Sequence, residues 1–446
     1  MTTTADRPTK TSPVKVALAS FIGTTVEYYD FFIYGTAAAL VFPTLFFPDS
    51  SPLVGTLLSF ATLGVGFLAR PVGGVVFGHY GDRVGRKKML VISLVLMGSA
   101  TVLMGLMPTY ATIGIAAPIL LTLLRLIQGF AVGGEWGGAT LMAVEHAPKG
   151  RRGFFGAFPQ MGAPAGVGLA TIAFYFASKL SPEAFESWGW RLPFLASAIL
   201  VIVGLVIRAS VDESPEFEAV RSKQEKQVKL PVAEAFRRHP KEIFLVAGTY
   251  LSQGVFAYIC MSYLVGYGSN GLGMDRNQVL MGVFVAAVIA TLLYPVFGAL
   301  SDRWGRKTIY LLGAVSMLVV IVPAFELINT ANPVNFAIAL TLVFGIAMAP
   351  AGGVTGSLFS LAFAPEVRYS GASVGYTISQ VAGAAFAPTI ATALFAVNDS
   401  TDLVVLYLVV VAVISVASVS LMPGKLGHAD VLDGDLKRSE RELATQ

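Results

Sequence analysis

The chain has 446 residues, of which 55% are hydrophobic and only 13% charged, with 46 glycines and a mean hydropathy of +0.70. No water-soluble core could hide so much apolar surface, so the composition excludes a soluble globular protein and leaves room for about a dozen membrane spans of ~20 residues. The net charge of +4 does not point to nucleic acid, because Lys and Arg gather in short loops between apolar runs, and the single cysteine, Cys260, excludes a disulfide framework or a thiolate metal centre.

Residues 1–15 are polar and lack the apolar run of a secretory leader, so this tail is expected to stay uncleaved and cytoplasmic. Apolar runs between charged or Pro/Gly punctuation then predict helices over 16–42, 53–78, 89–108, 113–144, 153–178 and 190–209. A second set is predicted over 243–267, 279–300, 309–328, 334–362, 371–396 and 403–421. The expected division is a first bundle at 16–209, a charged cytoplasmic linker at 210–242, a second bundle at 243–422 and a polar cytoplasmic tail at 423–446. The connections 79–88, 145–152, 211–241, 301–307 and 365–368 hold nearly all the Lys and Arg, whereas 43–52, 109–112, 329–333 and 398–402 hold none. That asymmetry places the basic connections and both termini in the cytoplasm.

Within the first basic connection, Gly78-His-Tyr-Gly-Asp82-Arg83-Val-Gly85-Arg86 returns 220 residues later as Gly298-Ala-Leu-Ser-Asp302-Arg303-Trp-Gly305-Arg306, and Gln160 returns at the same displacement as Gln380. The chain is therefore two duplicated halves, an arrangement by which many secondary transporters build a site at the membrane midplane. Each copy is expected to act as a conformational latch. Gly78 and Gly298 let a helix end approach its neighbour, Asp82 and Asp302 can cap a helix N-terminus or pair an arginine, and the arginines can meet lipid phosphates.

A charge inside an apolar span is expensive and needs a reason. Glu27, Asp30, Arg125 and Glu135 are such charges. Gly23, Glu27, Asp30 and Tyr34 fall on one face of the first helix, and Arg125, Gln128, Val132 and Glu135 on one face of the fourth. Two carboxylates so placed can exchange protons, and an arginine on a neighbouring helix can balance them. A purely architectural ion network would be repeated in helices seven and ten, where no such charges occur, so proton coupling is assigned to the first half. Tyr34, Arg125, Gln128, Gln160, Tyr250, Gln253, Tyr376 and Gln380 are the candidate substrate contacts. The glycines Gly129, Gly133, Gly134, Gly137 and Gly138 have the spacing of close helix packing. No phosphate loop occurs, His79, His146, His239 and His428 lack ligand spacing, and no nucleophile and base stand together. The expected energy source is a proton gradient, with no cofactor, no metal and no enzymatic reaction.

Several of these segments together resemble the major facilitator superfamily and, within it, the metabolite:proton symporter family, nearest its shikimate-type branch. They are Glu27-Tyr-Tyr-Asp30-Phe, Phe67-Leu-Ala-Arg70-Pro-Val-Gly-Gly, 78–88, 125–138, Trp188-Gly-Trp-Arg191 and Glu366-Val-Arg368-Tyr-Ser-Gly371. The resemblance implies an all-α membrane protein of twelve helices in two pseudo-symmetric bundles of six. It implies a monomer in a bacterial inner membrane, surrounded by lipid, that imports a small polar metabolite with protons. An organic acid such as shikimate or a dicarboxylate is the first expectation. Proline or glycine betaine is the alternative, followed by a proton-driven exporter and a non-transporting sensor. In the related sugar:proton symporters an aspartate of helix one and an arginine of helix four couple protons to transport, and a glutamine of helix five meets substrate. The matching positions here are Asp30, Arg125 and Gln160.

Overall fold

The computed structural model describes residues 12–84, 86–133, 140, 142–144, 146–148, 150–209, 236–363 and 368–423. Twelve long helices carry the described chain. They are α1 (Pro13–Leu40), α2 (Pro52–Val84), α3 (Arg86–Leu106), α4 (Ala116–Val132), α5 (Arg152–Ala177) and α6 (Leu192–Ala209), then α7 (Pro240–Gly271), α8 (Arg276–Trp304), α9 (Arg306–Asn329), α10 (Pro333–Ser360), α11 (Ser370–Asn398) and α12 (Asp402–Leu421). α1, α2, α7 and α10 open on proline, which lacks the N–H that a first turn leaves unused. The side chains of Asp275 and Asn332 accept N–H groups of the first turns of α8 and α10.

The described parts of the predicted connections 79–88 and 301–307 are helical apart from Gly305. α2 runs on to Val84 and α8 to Trp304, and Arg86 and Arg306 already begin the next helices. Charged residues end an apolar run without ending a helix, so hydropathy marks the membrane's thickness rather than the helix's length. Gly305 makes the break between α8 and α9 at φ +89°, a conformation that favours glycine. The expected linker at 210–242 falls largely on 210–235, outside the described residues.

α3, α6, α9 and α12 turn Leu106, Val206, Val319 and Leu406 outward, as helices facing lipid do. α1 and α5 are less uniformly apolar and lie against each other inside. Cβ atoms at Gly162 and Gly166 of α5 would come within 2.6 Å of the Thr24 Cβ and 2.7 Å of the Thr25 carbonyl oxygen on α1. α2 and α4 are as close, since Cβ atoms at Gly129 and Gly133 would fall on the carbonyls of Gly66 and Arg70.

The halves meet at both ends. Near the α8–α9 break, a Cβ on Gly298 would stand 2.7 Å from the Gly153 carbonyl oxygen. At the opposite end, Gly35 of α1 faces Ser262 of α7, and Asn270 Nδ2 donates to the Ala39 carbonyl at 3.4 Å. Four stretches of the second half widen into π-helix, at Ile259–Tyr263, Tyr267–Gly271, Thr341–Ala347 and Gln380–Ala384. No described helix of the first half does so.

Candidate functional site

The centre of the first half is built on α1, α4 and α6. Asp30 is completely buried, and its Oδ1 accepts a 2.5 Å hydrogen bond from Ser197 Oγ of α6. Arg125 is equally buried, and its Nη1 donates to Gln128 Oε1 one turn along α4. The Gln128 amide donates in turn to Thr101 Oγ1 at 2.9 Å and to the Asp30 backbone carbonyl at 3.3 Å. Among the described residues Arg125 therefore reaches Asp30 through a glutamine and makes no ion pair with it.

Aromatic rings receive the arginine instead. Its guanidinium carbon lies 4.3 Å from the Phe31 ring centroid and 4.4 Å from that of Tyr34, whose hydroxyl donates to Thr62 Oγ1 at 2.7 Å. Desolvated cation–π contacts contribute about 2 kcal/mol each, less than the several kcal/mol that removing an ion from water costs. Among the described residues, Arg125 Nε and Nη2 have no hydrogen-bond partner. The arrangement can receive an anion.

The second half contributes neutral polar groups. Tyr376 Oη lies 2.9 Å from Tyr28 Oη of α1, so a hydrogen bond joins hydroxyls of the two halves, and Gln380 Nε2 donates to Tyr376 Oη at 2.9 Å. The Tyr250 ring packs 4.7 Å from the Tyr376 ring. Gln253 stands apart, donating to Tyr294 Oη at 3.1 Å and to the Met348 carbonyl at 3.4 Å. Gln160 is buried where α5 meets α10, 3.5 Å from Thr140 Oγ1 and beside Gly356. Tyr258 of α7 closes the centre, its ring 5.3 Å from both Phe32 and Phe67.

The expected substrate contacts thus form a cluster of Tyr34, Arg125 and Gln128 in the first half and one of Tyr250, Tyr376 and Gln380 in the second, with Gln160 and Gln253 separate. Glu27 is buried on α1. Glu135 lies outside the described residues, as do Gly134, Gly137 and Gly138.

At the α8–α9 end, Asp302 accepts the backbone N–H groups of Gly153 at 2.7 Å and Phe154 at 3.0 Å. A carboxylate from the second half thereby caps the N-terminus of α5 in the first, where the helix dipole favours an anion. Arg306 is buried with Nη2 3.8 Å from the same carboxylate, and Arg303 is exposed. Lys307 Nζ donates to the Ser420 and Met422 carbonyls at 2.8 and 2.6 Å, tying this turn to the end of α12. In the first copy, Gly78, Asp82, Arg83 and Arg86 lie on helical backbone, but their side chains, and Gly85 altogether, are outside the description.

Arg70, quoted above only within a family-like segment, and Ser197 were not among the expected site residues. Arg70 of α2 is 7% exposed, with its guanidinium carbon 4.2 Å from the Phe31 centroid and 4.3 Å from that of Phe67. It lies inside the predicted 53–78 helix, so the rule that singled out Arg125 also finds it. Ser197 carried no signal, being one serine in an apolar helix.

Residues 20–388 match the Major Facilitator Superfamily. The chain is 43% identical to the inner membrane metabolite transport protein YhjE of Escherichia coli K12 over 92% of its own length and 95% of that protein's. It is 41% identical to the shikimate transporter of the same organism, over 92% and 94%. With the E. coli K12 proline/betaine transporter it shares 34% identity over 90% and 81%. A crystal structure of a D-xylose-proton symporter superposes with a TM-score of 0.71 at 18% identity, covering 94% of this chain and 99% of that one, a likeness of fold. By the family match and by relatives aligned over nine-tenths of its length, this chain belongs to the Major Facilitator Superfamily of membrane transporters.

Proposed function

We propose that the protein is a proton-coupled symporter that imports a small organic acid across a bacterial inner membrane by alternating access. The observation that carries this reading is Arg125, a fully buried cation with two nitrogens that no described residue matches, joined through Gln128 to the backbone of a buried aspartate. Asp30 is the proton-carrying group. Its hydrogen-bond partner, Ser197, is neutral, so the site holds the carboxyl in either protonation state. Protonation of Asp30 removes a negative charge near Arg125 and favours entry of a substrate carboxylate, with Glu27 and Glu135 as further proton-exchanging groups. Gln160, Gln253 and the Tyr250–Tyr376–Gln380 cluster supply neutral contacts to the rest of the substrate.

In this scheme the basic connections and both termini face the cytoplasm, and the Asp302 cap on α5 holds that side shut. Substrate leaves inward when the cap parts and α5 separates from α8. The protein works as a monomer on the proton gradient, without cofactor or enzymatic step, through bundles at 16–209 and 243–422 joined by the 210–242 linker.

A zwitterionic osmolyte, as the name of the proline/betaine relative suggests, is the second reading. Quaternary ammonium groups are held by open aromatic faces. Here Phe31, Phe67 and Tyr34 already receive guanidinium groups, which favours the acid.

Proteoliposome uptake of labelled organic acids and betaines, with and without an imposed proton gradient, tests the proposal. Gradient-driven accumulation of an acid is expected. Accumulation of betaine alone, or uptake indifferent to the gradient, refutes it.

A further inference from the structure

Two buried arginines share one ring. Arg70 and Arg125 place their guanidinium carbons 4.2 and 4.3 Å from the centroid of Phe31, so the two carbons can be no more than about 8.5 Å apart. Arg70 is 7% exposed and Arg125 0%, and they come from different helices, α2 and α4. Neither forms an ion pair among the described residues, and each keeps Nε without a partner. Their surroundings are aromatic, and such rings orient a guanidinium while leaving its N–H edge available to an acceptor.

Like charges at this distance repel, and the effect is stronger where water is excluded. An architectural purpose does not require it, because one stacked arginine would fill the space beside Phe31. Arg70 and the buried Glu27 both lie within electrostatic reach of Tyr28, Tyr258 and Tyr376, which line the meeting of the two halves. Arg70 therefore borders the central space into which substrate must come.

We infer that Arg70 and Arg125, both packed on Phe31, form a paired anion site and that the transported acid carries two anionic groups. The inference rests on the organic-acid reading above and narrows its substrate class. Each guanidinium takes one carboxylate through its N–H edge, the geometry in which arginine binds carboxylates most strongly. Their shared contact with the Phe31 ring keeps the two guanidinium carbons within about 8.5 Å. A molecule with one carboxylate leaves one buried cation unmatched and binds less well.

Thermal stability of the purified full-length protein reads this directly, because a ligand that binds only the folded state raises the melting temperature. The probes are the linear dicarboxylates malonate, succinate, glutarate and adipate, each beside its own half-amide, with shikimate as a monocarboxylate. At least one diacid is expected to stabilise the wild type at a concentration about tenfold below that of its half-amide, the size of effect given by one charge-assisted pair. Arg70→Gln should remove that gap while leaving the half-amide response, and Arg125→Gln should remove both. Arg70→Lys, which keeps the charge without the fork, should retain a smaller gap and serves if Arg70→Gln does not fold. Equal potency of diacid and half-amide on the wild type, or a gap that survives Arg70→Gln, overturns the paired site while the organic-acid reading stands. If no acid in the panel stabilises the protein, both readings fail.

Discussion

The two halves descend from one repeat, yet they bury different chemistry. Among the described residues the first half hides Glu27, Asp30, Arg70 and Arg125, whereas the second hides only Arg306, at its end. In place of charge the second half offers Tyr250, Gln253, Tyr294, Tyr376 and Gln380. Its helices also widen into π-turns at four places, where the described helices of the first half stay α-helical. A π-turn loosens the regular backbone bonding and lets a helix bend. The two halves thus share a frame but differ inside: one buries charge, and the other presents neutral polar groups beside its π-turns.

Removing charge from the first half should have the largest effect. Asp30→Asn cannot cycle a proton, so accumulation against a gradient should fall to the passive level while counterflow persists. Measuring the two separately decides it. Undiminished uphill uptake would take coupling away from the first half and end the comparison as drawn.

The contact between halves comes next. Gly298→Ala sets a methyl 2.7 Å from the Gly153 carbonyl oxygen, closer than real Cβ contacts, and must push α8 from α5. Overpacking of this kind costs about 1–3 kcal/mol, which moves the open-to-closed ratio at that end by about tenfold or more. Labelling of a cysteine introduced in that passage should rise accordingly, and an unchanged rate would show that this end was already open. Asp302→Asn removes the charge but not the bulk from the α5 cap. A loss of about 1 kcal/mol, or about fivefold in the same labelling, is expected, with maximal transport rate falling more than affinity. If affinity alone fell, the carboxylate would belong to the substrate path.

The smallest effect belongs to the second half. Tyr376→Phe deletes the hydroxyl shared with Tyr28 and Gln380. Substrate binding should weaken by about fivefold, near the value of one neutral hydrogen bond, with the ratio of uphill uptake to counterflow unchanged. A change in that ratio would extend coupling across both halves.

Much of this was legible before any coordinates. Apolar runs located the helices, and the displaced Gly-Asp-Arg repeat showed the duplication, because both are periodic features that a single chain displays. The ends of α2 and α8 were misjudged, since hydropathy cannot see a helix that continues past the membrane. Arg125 was found by its charge. Gln128 and Tyr34 were found with it, but Phe31 against Arg125, Ser197 on Asp30 and Thr101 on Gln128 were not, because they are ordinary in an apolar span and acquire meaning only when α1, α3, α4 and α6 are brought together. The π-turns left no sequence mark, as they depend on one residue's register within an otherwise helical run.

The unmatched nitrogens of Arg125 bear on how the protein must be handled. On the proposed reading, a guanidinium whose Nε and Nη2 meet no acceptor among the described residues also takes small anions when the site opens, so chloride or acetate in a purification buffer is expected to compete with the intended ligand. Ligand screens run in bulky, weakly coordinating anions should report tighter apparent binding than the same screens in chloride, and the ligand-free protein should be less heat-resistant in them. The choice of counterion is then an experimental variable with the same standing as pH.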